Sequence, residues 1–263
     1  MKKIYYATLF CVLLLSGIML SASPMAAYNK KCDWYDVKTQ YYRCTFYNGC
    51  MYPVWFTSAD GKVEFPRGFM LDWIKKADAP DTELHYLRYD QHAEVKVIEN
   101  SNDTLIVECT GKFCKGIYRF PGVTAVYRWT LQKNSPVITL QGTISFDENA
   151  PRQLCLTMFG SMAFENTPFE KVQVGQASPQ KFRTVETKAQ SFVARDGIML
   201  IMDNNMVFGV NGPAVAFNNN LHRFYTYVSK DVALQDRRWN GLQPLQFEMQ
   251  FKVEGRPTQA ARD

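Results

Sequence analysis

From about residue 40 onward, apolar and polar residues alternate along this chain in short runs, and turn residues break those runs at brief intervals. Ala93, Val95 and Val97 alternate with Glu94 and Lys96, the period of two that lays one face of a strand on a core and leaves the other in water. Gln40–Tyr47, Met51–Thr57, Lys62–Phe65, Thr104–Cys109, Thr124–Leu131 and Val137–Phe146 are further aromatic and β-branched runs. Gln190–Ala194, Ile198–Met202, Met206–Val210, Ala214–Phe217, Arg223–Val228 and Leu245–Val253 complete the series. Asp60-Gly61, Asn134-Ser135-Pro136 and Arg195-Asp196-Gly197 mark turns between neighbouring runs, so adjacent strands are expected to pair as antiparallel hairpins. Only Phe69–Ala79 reads as helix, with Phe69, Met70, Trp73 and Ile74 on one face and Pro80 as its stop.

The expected fold is therefore all-β, a large antiparallel two-sheet β-sandwich with one to three short helices. The chain has no Ser/Gly/Pro linker, charge block or fixed repeat. Residues 28–253 read as a single domain and 254–263 as a flexible tail. Two smaller sandwiches meeting near Asn149-Ala150-Pro151 are the alternative.

The first 27 residues read differently. Lys2 and Lys3 precede the uncharged run Ile4–Leu20, and small residues follow through Ala27. A basic start, an apolar stretch and a small-residue exit describe a Sec-type signal peptide, so the protein is expected to be secreted or periplasmic. Ala22 and Ala27 both suit the last residue before a cut. An uncleaved anchor is the alternative, because the apolar run reaches the lower limit for spanning a bilayer. No second run of membrane length follows. Removing Lys2 and Lys3 lowers the formal charge from +5 to +3, which gives no electrostatic reason to expect nucleic acid as a partner.

Export makes Cys32, Cys44, Cys50, Cys109, Cys114 and Cys155 candidates for disulfides. Cys109 and Cys114 flank an expected turn and are the expected local pair. Cys32, Cys44 and Cys50 would staple the N-terminal segment, and Cys155 reads as a buried thiol. No Cys-x-x-Cys occurs and no His lies near these cysteines, so zinc is not expected.

The stretch Ala125-Val126-Tyr127-Arg128-Trp129-Thr130-Leu131-Gln132-Lys133-Asn134-Ser135-Pro136-Val137-Ile138-Thr139-Leu140 resembles the central hairpin of galactose-mutarotase-like β-supersandwich domains. Those domains occur in polysaccharide lyases and related sugar-active proteins. Gly241-Leu242-Gln243-Pro244-Leu245-Gln246-Phe247-Glu248 is similar to the lead into their final strand, and Phe46-Tyr47-Asn48-Gly49-Cys50-Met51-Tyr52-Pro53 to an early Gly-bearing strand. The epimerases of this fold carry an Asn-x-x-His-x-Tyr/Phe-type segment, which is missing here. Asn218 to Tyr225 holds the same residue types in another order. The resemblance thus implies a polysaccharide lyase or a carbohydrate-binding protein, and not an epimerase.

A lyase that works by β-elimination needs a base, a cation to stabilise the enediolate and an acid at the leaving oxygen. His222, Arg223 and Tyr225 contain these types and are the catalytic candidates, although on a strand His222 points away from the other two. Arg237, Arg238 and Trp239 lie in one loop, where Trp can stack on a sugar ring and paired Arg can grip a carboxylate or sulfate. Arg128 and Arg152 are further substrate-binding candidates, with Trp55 and Trp129 as aromatic ones. The competing reading is that Trp239 plugs the core edge and the arginines reach water. His85 and His92 flank an expected turn, but their spacing matches no metal pattern. Acyl-transfer, nucleotide and metalloprotease signatures are absent. The resulting expectation is a secreted protein acting on or binding polysaccharide, with an acidic glycan as the lyase version and no cofactor or metal. The alternative is a non-catalytic exported structural or adhesive β-sandwich.

Overall fold

The computed structural model describes residues 24–62, 64, 68–70, 72–151, 154–165, 169–181, 190–194, 197–202, 207–211, 215–220, 223–228 and 244–254. The chain opens with β1 (Ala26–Asn29), β2 (Trp34–Lys38), β3 (Tyr42–Tyr47) and β4 (Val54–Ser58), which form a four-stranded sheet in that order. β5 (Gly68–Met70), β6 (Trp73–Lys76), β7 (His85–Tyr86), β8 (Glu94–Asn100) and β9 (Thr104–Gly111) follow. Next come β10 (Cys114–Lys115), β11 (Tyr118–Arg119), β12 (Val123–Gln132), β13 (Val137–Phe146) and β14 (Leu154–Glu165). β15 (Phe169–Val174), β16 (Gln180–Lys181), β17 (Gln190–Ala194), β18 (Ile198–Met202) and β19 (Val207–Asn211) lead to β20 (Val215–Asn220), β21 (Arg223–Val228) and β22 (Leu245–Glu254).

One nine-stranded sheet runs β16-β15-β18-β19-β22-β13-β12-β9-β8. The other runs β11-β10-β7-β6-β14-β21-β20-β17, with β5 pairing β14 beside it. The hairpin read around Asn134-Ser135-Pro136 is present as β12 against β13, in register from Val123↔Phe146 to Leu131↔Ile138. Strict alternation makes β12 a half-buried strand, with Val123, Ala125, Tyr127, Trp129 and Leu131 inward. Tyr127 and Trp129 meet the rings of Phe247 and Phe251 on β22. Gly142, opposite Tyr127, makes room for this: a Cβ there would lie 2.1 Å from the Phe247 ring.

The four-stranded sheet packs on the same core. Its inner residues Val37, Tyr42, Cys44, Phe46 and Phe56 belong to the same continuous core as Trp129. The Trp129 indole Nε1 donates to Met51 O at 2.9 Å, and Phe46 packs edge-on against the same indole. Trp129 is therefore a core residue, 1% exposed.

The helix expected over Phe69–Ala79 is replaced by strands. β5 and β6 both pair β14, which places Ile74 opposite Leu156. Fully buried Asp72 sits between them, its carboxylate accepting from the Tyr127 hydroxyl and from Gly160 N. Four apolar residues over so short a run fit a helix face and a pair of strand ends equally well, and pairing with β14 decides between them. Pro80 precedes a 3-10 turn, Asp81–Glu83, and a second spans Leu87–Tyr89. These two turns are the helical elements among the described residues.

The expected disulfides are also absent, for all six described cysteines are thiols. Cys109 faces the core from β9 in the first large sheet, whereas Cys114 lies on β10 in the second, opposite Tyr86 and Arg119. The turn between them changes sheet instead of closing a hairpin. Burial pushes the Cys44, Cys50 and Cys109 thiols up, which makes them poor nucleophiles.

Candidate functional site

His222, Arg152, Arg237, Arg238 and Trp239 lie outside the described residues. Arg223 and Tyr225 stand two apart on β21, opposite Glu165 and Ala163 of β14 and opposite Asn220 and Asn218 of β20. Arg128 belongs to the other large sheet. It lies on the outer face of β12, between Glu108 and Gln141, in a row that runs from Lys96 to Glu248. Gln141 Nε2 donates to Glu248 there. This is a solvated ladder of mixed charge. His85 stacks edge-on against Phe120 with Nδ1 3.1 Å from Glu83 O, and His92 is exposed in the turn capped by Asp90. No group of three metal-ligating side chains occurs among the described residues.

The feature that stands out is on the N-terminal sheet. Alternation along β2 puts Trp34, Asp36 and Lys38 on its outer face, and register sets Tyr47, Thr45 and Arg43 of β3 against them. Between β3 and β4 the register slips. Arg43 pairs with Thr57 but Thr45 with Val54, so two steps on β3 meet three on β4. Trp55 lies within this β-bulge with φ of +52°. That left-handed conformation costs a non-glycine residue roughly 1–2 kcal/mol. Bulges re-aim side chains, and strain of this kind concentrates at binding sites.

Trp55 points outward at the bulge and is 51% exposed. Three rings support one another there. Trp34, Tyr47 and Trp55 meet edge to face at centroid distances of 4.8 to 5.3 Å. Burial pushes the Tyr47 hydroxyl up, so it stays a neutral donor. Trp34 Nε1 is shielded from water and has no acceptor among the described residues.

Beside Trp55 lies a groove of about 720 Å³, lined by Asp36, Lys38, Arg43, Thr57 and Glu64 and walled by Pro24 and Met25. Its size falls within the range of small-molecule sites. Arg43 is fixed at its far side, where Nε donates to Ala59 O at 2.9 Å and the guanidinium lies against Gly61. An indole flank with hydrogen-bonding groups of both signs suits a sugar ring, which has an apolar face and a hydroxyl rim. Sequence alone held Trp55 only as one of several weaker candidates beside Trp129, Arg128 and Arg152. It missed Lys38 and Arg43, because only the β2–β3 register brings them together.

Comparison with known proteins adds the fold. No protein-family model and no curated protein matches the sequence. Solved structures do. The galactosidase domain of an alpha-galactosidase–sucrose kinase superposes with a TM-score of 0.58 at 9% identity, over 88% of this chain and 42% of its own. A protein of glycosyl hydrolase family 38 from Enterococcus faecalis gives 0.59 at 10% identity, over 90% of this chain and 32% of its own. This chain shares its fold with glycoside hydrolases. It spans less than half the length of either structure. A galactose mutarotase related enzyme from Lactobacillus acidophilus is also similar, with a TM-score of 0.49 at 9% identity over 86% of this chain and 98% of its own.

Proposed function

We propose that this is an exported carbohydrate-binding protein that holds a polysaccharide against Trp55. The observation that carries the reading is the indole itself. A bulge holds it in a strained backbone conformation, half exposed, beside a polar groove. Strained residues cluster at active sites and ligand clamps. The fold supports the reading, since the similar structures include a galactosidase domain and a family 38 glycosyl hydrolase. Export rests on the basic, apolar and small-residue succession of residues 1–27.

Affinity electrophoresis of the purified protein through gels holding neutral and uronic-acid polysaccharides tests this reading. The wild type is expected to be retarded by at least one polymer, and Trp55→Ala to weaken that binding about tenfold by loss of the stacking face. No retardation on any polymer, or a Trp55→Ala variant as retarded as the wild type, would sink it. The acidic-glycan version extends to a lyase, with Arg223 and Tyr225 on β21 as candidates beside His222. It predicts growing ultraviolet absorbance from unsaturated products when the protein meets uronic-acid polymers. A flat trace leaves a binding protein without that activity.

A further inference from the structure

The outer face of the four-stranded sheet passes from aromatic to cationic along the strands. Trp34 pairs with Tyr47, Asp36 with Thr45, and Lys38 with Arg43, a span of about 13 Å at ~3.3 Å per residue. The last pair is unusual. Two cations stand directly opposite each other on neighbouring strands, where Cβ atoms lie roughly 5 Å apart and like charges destabilise the sheet.

Lys62, Lys75, Lys115, Arg119 and Lys252 each form an ion pair, whereas Lys38 and Arg43 form none among the described residues. The groove's own carboxylates are set aside from them. Asp36 stands on the Thr45 row, and Glu64 lies beyond Thr57, with which it bridges. Arg43 is also pre-set. Its Nε is tied to Ala59 O, and Gly61, at φ of +75°, would put a Cβ 3.2 Å from Nη1. Its Nε is thus tethered while Arg43 lines the groove together with Lys38 and Trp55.

Resting on the glycan-binding reading, we propose that Lys38 and Arg43 form an anion-recognition point within that groove. It takes the carboxylate or sulfate of an acidic sugar whose ring lies on Trp55. A tethered guanidinium beside an ammonium suits such a group, the first by paired N–H bonds and the second as a point charge. Asp36 and Glu64 accept from sugar hydroxyls and repel a dense polyanion. The groove therefore fits one charge per sugar unit better than a nucleic acid or an anionic bilayer.

The test compares polymers that differ only in charge: polygalacturonate against its methyl ester, and dextran sulfate against dextran. At low salt the wild type should bind one charged member at least about tenfold more tightly than its neutral twin. The polymer pair that responds tells carboxylate from sulfate. Lys38→Gln/Arg43→Gln should bring charged and neutral members within about twofold while keeping the wild-type melting temperature or raising it, because a like-charge pair is removed. Trp55→Ala should weaken both members alike. A double variant that still prefers the charged polymer, or a wild type that binds both equally, overturns the anion point and leaves glycan binding standing. Absence of binding to every polymer overturns both.

Discussion

Trp55 shows how one backbone angle can set what a surface offers. In a regular strand it would alternate with Phe56, and a slip of one position would exchange their faces. Here Phe56 is buried at 9% exposure while Trp55, at the bulge, is 51% exposed. Replacing Trp55 with glycine removes the ring and also the left-handed penalty. The lost edge-to-face contacts are worth about 0.5–1.5 kcal/mol each, against a relief of roughly 1–2 kcal/mol. Trp55→Gly should therefore unfold in urea within about 1 kcal/mol of the wild type while losing glycan affinity. A fall of several kcal/mol would mean that the ring serves the fold and not a ligand.

At the level of elements, the β12–β13 hairpin was legible because its alternation and its Asn134-Ser135-Pro136 turn agree. The packing across it was not. Nothing local says that Gly142 is bare so that the Phe247 ring can reach Tyr127, whose ring centroid is 5.5 Å away. Gly142→Ala forces that ring aside and should cost about 1–3 kcal/mol in chemical denaturation; no loss would show that the ring yields freely. β1 carries a second consequence. Met25 N donates to Ser101 O, Ala26 N to Asn100 Oδ1, and Lys38 N to Met25 O, with Met25 and Ala26 both buried. A cut after Ala27 would remove these bonds and one wall of the groove, whereas a cut after Ala22 keeps them. On the proposal that the chain is exported, intact-mass analysis is expected to find a start at Ser23, and a start at Tyr28 would refute that expectation.

Several titratable hydroxyls and thiols of the described residues lie in or against one continuous core. Burial pushes Tyr42, Tyr52 and Tyr127 up, and with them the Cys44, Cys50 and Cys109 thiols. Each raised value means that the folded chain keeps a proton the unfolded chain gives up. Their stabilisation is full below the unfolded values, about 8.5 for Cys and 10 for Tyr, and drains away as pH rises past them. Urea midpoints followed by circular dichroism should hold steady from pH 6 to 8 and fall steeply above about pH 10. A flat profile to pH 11 would contradict the burial of these groups. By itself the sequence determined the class, an all-β antiparallel sandwich, because the period of two is written residue by residue and needs no distant partner. It also named Trp55 as an aromatic candidate. Only the tertiary structure decided that Gly68–Met70 and Trp73–Lys76 are strands, that Cys109 and Cys114 part to different sheets, and that Lys38 faces Arg43 beside an outward Trp55. Each of these depends on register between segments, a property of paired chains that no single stretch encodes.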